Sequence, residues 1–269
     1  MIDILSDIKK RYMDSFLAIN IDEIRENAQK DNETITLYHG TTTDRLNSIL
    51  KKGLLPRKET GFDNWEWNDD NENSIENVVY LSNKWHYFYA FNTWGVYLMK
   101  KYGENFEGLK QGDKYLDTFA CYVECKVPKA LLVIDEDFIK TRYMEKKIKS
   151  YLKRNKEIVF DPLECLAQYG TVGVLGGIPP SMITSFTVLA DLKLFHYVTD
   201  ENSPYHKEWY NWQLGKGKGK ISLKQMLDKE AESDMNGTWW VHEIKKDCTI
   251  SFVRNPMSGK IAMIQKPRI

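Results

Sequence analysis

Apolar residues recur at helical spacing near the start of the chain, at Ile4, Ile8, Tyr12, Phe16 and Leu17 and then at Ile21 and Ile24. That rhythm predicts one or two amphipathic helices over 1–30, capping whatever follows. The run T-I-T-L-Y-H at 34–39 predicts a buried strand ending in Gly40. A short helix is expected over 44–52, stopped by Gly53 and Pro56. Residues 57–77 are rich in Asn, Asp and Glu with Trp65 and Trp67 embedded, and a long loop of this kind inside a compact domain is usually functional or mobile. V-V-Y-L-S at 78–82 predicts a second strand, and 83–102 an aromatic-rich helix. Alternation over 118–127 predicts a third strand, followed by another at 131–134 and a basic helix over 140–155. Beyond Glu157–Phe160 come a short turn or helix over 161–169 and strands at 171–175 and 185–189.

Helix and strand signals alternate early, and strands dominate later. This suits an α+β domain better than a doubly wound parallel sheet. Three regions are expected: a helical cap over 1–30, a core over 31–192, and an aromatic-rich C-terminal extension over 193–269. The extension gathers Phe195, His196, Tyr197, Tyr205, His206, Trp209, Tyr210 and Trp212. A Gly-Lys run follows (Lys216, Lys218, Lys220), then a charged helix to about Glu232 and strand-like segments at 239–244, 249–253 and 260–265.

With 42% hydrophobic and 28% charged residues the chain reads as globular. Its 38 basic and 38 acidic residues cancel, which argues against attachment to nucleic acid by bulk charge and leaves only local basic patches. Cys121 and Cys125 stand in a strand-like run with no second close pair of ligands, so free thiols are expected rather than a zinc site. His86, His196 and His206 lack acidic or thiol partners at metal spacing. Asp3, Asp7, Lys9, Lys10 and Arg11 exclude a signal peptide at the N-terminus, and no apolar run reaches membrane-spanning length. A cytoplasmic protein without a membrane partner is expected.

Three ordered motifs carry chemistry. Leu37-Tyr38-His39-Gly40-Thr41-Thr42 is followed by Ile49-Leu50-Lys51-Lys52-Gly53-Leu54 and Pro56; Val79-Tyr80-Leu81-Ser82 precedes a helix containing Ala90; Gly177-Ile178-Pro179-Pro180 precedes Ile183 and a strand. Over about 34–190 their order and spacing resemble the ADP-ribosyltransferase superfamily, in which Y-H-G-T, a helix and G-L-x-P open the domain and G-I-P-P-x-x-I closes it. The resemblance implies a split-sheet core that binds NAD as a substrate, with no metal. It implies that His39 holds the adenosine ribose, that the Gly40 backbone grips the nicotinamide amide with Thr41 beside it, and that Tyr80 stacks on the nicotinamide ring next to Ser82. Read locally, a histidine at a strand end can donate to a ribose hydroxyl, and a glycine lets a ligand approach the backbone.

Breaking the nicotinamide–ribose bond develops positive charge that a carboxylate near the 2′-hydroxyl stabilises. Family members usually place a Glu at the start of the strand before G-I-P-P; this strand starts at Thr171 with no Glu. Glu164 is the first candidate on chemistry and Gln168 the second on position. Glu157 is the third, because Ile158-Val159-Phe160-Asp161-Pro162 resembles the acid-bearing strand of poly-ADP-ribose polymerases, one residue out of register.

The expected activity is mono-ADP-ribosyl transfer from NAD to a protein, RNA or DNA acceptor, and the resemblance points to bacterial toxins and phage effectors. Two alternatives stand beside it. An NAD-dependent RNA 2′-phosphotransferase shares the L-Y-H-G-T start, but Arg57 has no neighbouring His. A degenerate binding or inhibitor module would fit the missing Glu. The basic segment 140–156 admits an anionic substrate. Gly215–Lys220 lacks the P-loop pattern and reads as a basic loop.

Overall fold

The computed structural model describes residues 2–16, 19–30, 33–61, 74–103 and 118–189, with the backbone of 238–241, 248–254 and 261–267. In chain order the elements are α1 (Ile2–Ser15), α2 (Ile21–Lys30), β1 (Thr34–Thr42), α3 (Thr43–Lys52), the single turn α4 (Arg57–Thr60), β2 (Val78–Ser82), α5 (His86–Tyr102) and β3 (Ala120–Pro128). They continue with β4 (Leu132–Ile134), α6 (Arg142–Lys153), α7 (Pro162–Gln168), β5 (Thr171–Leu175), β6 (Ile183–Leu189), β7 (Thr238–Val241), β8 (Cys248–Arg254) and β9 (Ile261–Pro267). The architecture is mixed helix and sheet, α+β, with antiparallel pairing. Two compact units divide it: Met1–Leu37, Gly53–Asn83 and Lys126–Met182 form the first, and Tyr38–Lys52, Lys84–Cys125 and Ile183–Ile269 the second.

In the first unit the strands run in the order β4-β5-β2. Tyr80 lies opposite Gly173 and Ser82 opposite Thr171, while Val133 lies opposite Gly173 from the other side. Strand alternation therefore puts Val78, Tyr80, Ser82, Thr171, Gly173, Leu175 and Val133 on one face. Val79, Leu81, Val172, Val174, Leu132 and Ile134 take the other, and all six are buried. The first face is covered by the N-terminal helices, whose apolar stripe meets it: Phe16, Ile75, Val78 and Leu175 form a cluster with Tyr12, Met13, Ile21, Ile24, Tyr80 and Val133 around it. Polar ties fix α1 there. Tyr12 donates to the Ile134 carbonyl (3.3 Å), and Lys9, only 5% exposed, pairs with Asp137 at 2.8 Å.

Two glycines explain how the chain crosses itself at the edge of this unit. Leu54 and Ile178 exchange backbone hydrogen bonds of 2.8 and 2.9 Å. Gly53 (φ +87°) and Gly177 (φ +82°) adopt left-handed backbone that L side chains avoid. A Cβ on Gly53 would strike the Ile178 carbonyl, and one on Gly177 would stand 2.6 Å from the Leu54 carbonyl oxygen. Each glycine thus protects the bond made by its partner's neighbour.

In the second unit β3, β6 and β7 pair in that order, and β8 and β9 form a two-stranded ribbon. Phe91, Trp94 and Phe119 are fully buried, and the Trp94 indole donates to Thr118 O at 2.7 Å. A register shift at Glu124/Cys125 bends β3.

Several expectations change. The first strand does not end at Gly40 but continues to Thr42. Residues 83–85 precede α5 rather than begin it. Glu157–Phe160 is not a strand: it has no regular structure, and Glu157 and Val159 are exposed. Arg57–Thr60, expected as loop, forms one helical turn closed by a left-handed Gly61. Trp65, Trp67, the aromatic residues 195–212, the Gly-Lys run and the charged helix lie outside the described residues. No described helix is long and apolar enough to cross a membrane.

Candidate functional site

The first unit brings together parts of all three motifs. Gly53-Leu54 binds Gly177-Ile178 through the paired backbone bonds, and Val79–Ser82 on β2 pairs with β5, the strand that runs into Gly176-Gly177. Segments far apart in sequence are thereby fastened along β5 and the turn that follows it. Ser82 is buried and donates its hydroxyl to the Gly170 carbonyl at 2.7 Å, which also accepts from the Asn83 amide. Gly170 (φ +91°) sits between α7 and β5, so the C-terminal end of α7 is held against the end of β2.

That contact sets the places of the candidate acids. Gln168, the last residue of α7, is exposed and two residues from the carbonyl that holds Ser82. Glu164 lies one turn earlier, where a residue four positions away shares the same helix side. Its carboxylate is engaged elsewhere: Lys147 forms a short ion pair with it, and the Tyr143 hydroxyl donates to it at 2.7 Å. Partial burial raises the Glu164 carboxyl, but hydrogen bonds from Lys147 and Tyr143 outweigh it and leave the carboxyl below the usual range. Glu157 belongs to the exposed segment before α7. The structure therefore places Gln168 two residues before the carbonyl that binds Ser82, turns Glu164 toward α6, and leaves Glu157 in the exposed segment before α7.

Two acids passed over in the sequence stand on the covered face of the sheet. Asp135 and Glu136 follow β4, and both are buried, Glu136 to 4% exposure. Asp135 accepts from the Thr171 hydroxyl at 2.7 Å, at the start of β5. Glu136 accepts from the Tyr80 hydroxyl at 2.5 Å, while that hydroxyl accepts from the Ile75 amide at 3.1 Å. Burial pushes Asp135 up to about 6, partly opposed by the Thr171 bond. Burial, and then the neighbouring Asp135 charge, push Glu136 up to about 7. The Tyr80 hydroxyl is driven well above its ordinary range by burial and by Glu136. Tyr80 thus packs in the cluster under α1 and α2 with its hydroxyl committed to Glu136, a setting beyond the stacking role implied for it. The signal available in the sequence was Asp135-Glu136-Asp137 wedged between an apolar strand and Phe138-Ile139.

The remaining first-motif residues belong to the second unit. His39 is half-buried and Thr41 buried on β1. Gly40 is buried too, and the space a side chain would need is filled by the first turn of α5, with the His86 carbonyl 2.7 Å from a built Cβ. Helix packing, and not room for a ligand alone, requires glycine there. His86 is buried among Tyr38, Tyr87 and Tyr122, with ring centroids at 4.4, 4.2 and 4.8 Å. Burial lowers it to about 3, so it is a neutral core histidine. Cys121, Cys125 and Cys165 are buried free thiols. Among the described residues no group of three or more His, Cys, Asp or Glu side chains is arranged to hold a metal ion. Arg57 donates to the Ser74 carbonyl at 2.9 Å. Compared with protein-family models, with curated proteins and with solved structures, the chain finds no match.

Proposed function

We propose that the chain is an NAD-consuming mono-ADP-ribosyltransferase with an ADP-ribosyltransferase-like core. The observation that carries this reading is the meeting of Gly53-Leu54, Tyr80–Ser82 and Thr171–Ile178 through backbone hydrogen bonds. Three short motifs far apart in sequence have no reason to be mutually fastened if their order along the chain were accidental. In this reading Ser82 and Gln168 of the first unit flank the reacting ribose, and His39 with the Gly40-Thr41 backbone keeps the NAD-holding role that the resemblance implies. The family's acid is replaced by Gln168 at the end of α7, with the carboxyl groups of Asp135 and Glu136 behind Thr171 and Tyr80. Oriented dipoles and charges in a water-poor site are an effective way to stabilise developing positive charge. Glu164 is the alternative acid; it serves only where Lys147 and Tyr143 release it.

A second reading, NAD binding without transfer, is favoured by one observation: the strand begins with Thr171, whose hydroxyl is already bound to Asp135. Nicotinamide release from NAD separates the two. The transferase reading expects release that drops at least about 100-fold in His39→Ala and Gln168→Ala, the size typical of losing one positioned transition-state group. NAD binding with no release by the wild type supports the second reading.

A further inference from the structure

The segment 140–156 holds eight basic residues and one acid, Glu145, in a chain whose formal net charge is zero. Most surface helices alternate signs and pair them one turn apart; α6 has a single such pair, Glu145 with Lys149. At 100° per residue, Arg142, Lys146, Lys149 and Lys153 fall within an arc of about 60°. Met144 and Ile148, the buried residues of α6, point to the opposite side. All four cations are exposed, and only Lys149 forms an ion pair among the described residues, with Glu145 at 2.6 Å. Lys147, outside the stripe, is the one that binds Glu164. Tyr143 flanks the stripe on one side and Leu152 on the other, 42% and 48% exposed.

We propose that this outer face of α6 docks the phosphate backbone of a single-stranded nucleic acid, the acceptor class of the transferase. Charge complementarity selects a polyanion. The four cations span roughly 16 Å at 1.5 Å per residue, long enough to follow several successive phosphates of one strand. The exposed Tyr143 ring and Leu152 beside the cations suit unstacked bases, which a duplex does not present. The surface is also linked to the candidate site: Lys147 and Tyr143 of α6 hold Glu164 on α7, whose end carries Gln168 and adjoins Ser82. The inference rests on the transferase reading for its meaning, but its test does not require turnover.

The test is fluorescence anisotropy of a labelled single-stranded 20-mer with the full chain, without NAD, at 50 and 200 mM salt. Four phosphate contacts on a single strand give a salt slope of about 3, or about a 50-fold loss of affinity over that range. The combined variant Arg142→Gln, Lys146→Gln, Lys149→Gln, Lys153→Gln is expected to lose at least about 10-fold at 50 mM and most of the slope. Its substitutions are exposed, and an unchanged melting temperature verifies its fold. Lys51→Gln/Lys52→Gln, two exposed cations on α3, is expected to bind as the wild type does. Unchanged binding by the combined variant overturns the proposal, as does equal loss in the control. Stronger attachment to phosphatidylserine vesicles than to the oligonucleotide, abolished by Leu152→Ser, also overturns it in favour of a membrane surface. Oligonucleotide binding without NAD turnover faults the transferase reading alone; turnover without such binding faults this surface alone.

Discussion

Replacing Gly177 by alanine tests the crossing that fastens the motifs together. At φ +82° an alanine in left-handed backbone costs about 1–2 kcal/mol. Its Cβ would also lie 2.6 Å from the Leu54 carbonyl oxygen and 3.0 Å from Pro56 Cδ, so the two strands must part. Parting weakens the Leu54–Ile178 bonds of 2.8 and 2.9 Å, each worth about 1 kcal/mol net. Both residues are buried, so water replaces those bonds poorly. Reduced freedom of the unfolded chain returns about 0.5 kcal/mol, leaving a loss of about 2–4 kcal/mol. Gly61→Ala is the matched control: its φ is +63°, but nothing lies within 4 Å of a built Cβ, so only about 1 kcal/mol is at stake. Amide hydrogen exchange at Leu54 and Ile178 reads the difference locally. Exchange is expected to accelerate about 30-fold or more in Gly177→Ala, and to change little in Gly61→Ala. Melting temperature should fall by roughly 10 °C in the first and about 3 °C in the second. Equal melting of the two variants, with unchanged exchange at Leu54 and Ile178, would refute the reciprocal-glycine reasoning.

Glu136 ties stability to pH. Its folded-state pKa, about 7, lies above the ordinary 4.5, so the folded state holds an extra proton between those values. Stability from this group is therefore full below about pH 4.5 and declines as pH rises toward 7, by at most about 1.4 kcal/mol per unit. Glu136→Gln should flatten that decline and melt no lower than the wild type at pH 8; a steeper decline in the variant contradicts the burial argument. Asp161 caps α7 by accepting from the Leu163 amide at 2.8 Å, so Asp161→Ala should cost about 1 kcal/mol by urea denaturation, and no loss would show the cap to be idle. Lys147→Met removes the main partner of Glu164 and is expected to raise the Glu164 pKa toward its ordinary value in a carboxyl-carbon NMR titration. An unmoved titration would mean that Tyr143 alone sets it.

Much of the fold was legible because its signals are local. The apolar runs at Val78–Ser82 and Thr171–Leu175 are bounded by turn residues, and both strands form with the expected ends. The helical rhythm from Ile4 to Ile24 likewise becomes α1 and α2. What escaped depends on partners distant in sequence. Asp135-Glu136-Asp137 looks like a solvated turn until Thr171 and Tyr80, 36 and 56 residues away, supply hydroxyls that let two of the three acids be buried. Glu164 looks like an available acid until Lys147 and Tyr143 claim it from the neighbouring helix. Gly40 reads as a point of ligand approach, and its packing against α5 is a second demand that the local sequence does not show. β1 runs on past Gly40, whose backbone is not left-handed and whose missing side chain makes room for a helix 46 to 50 residues later. Composition and periodicity carry no information about such pairings.

The most direct test of the transferase reading is nicotinamide release from NAD by the purified chain, followed over time with and without a single-stranded oligonucleotide. Release that accelerates with the oligonucleotide and leaves ADP-ribose covalently attached to it is the expected result. NAD left intact under both conditions, by protein whose melting curve shows it folded, would contradict the reading.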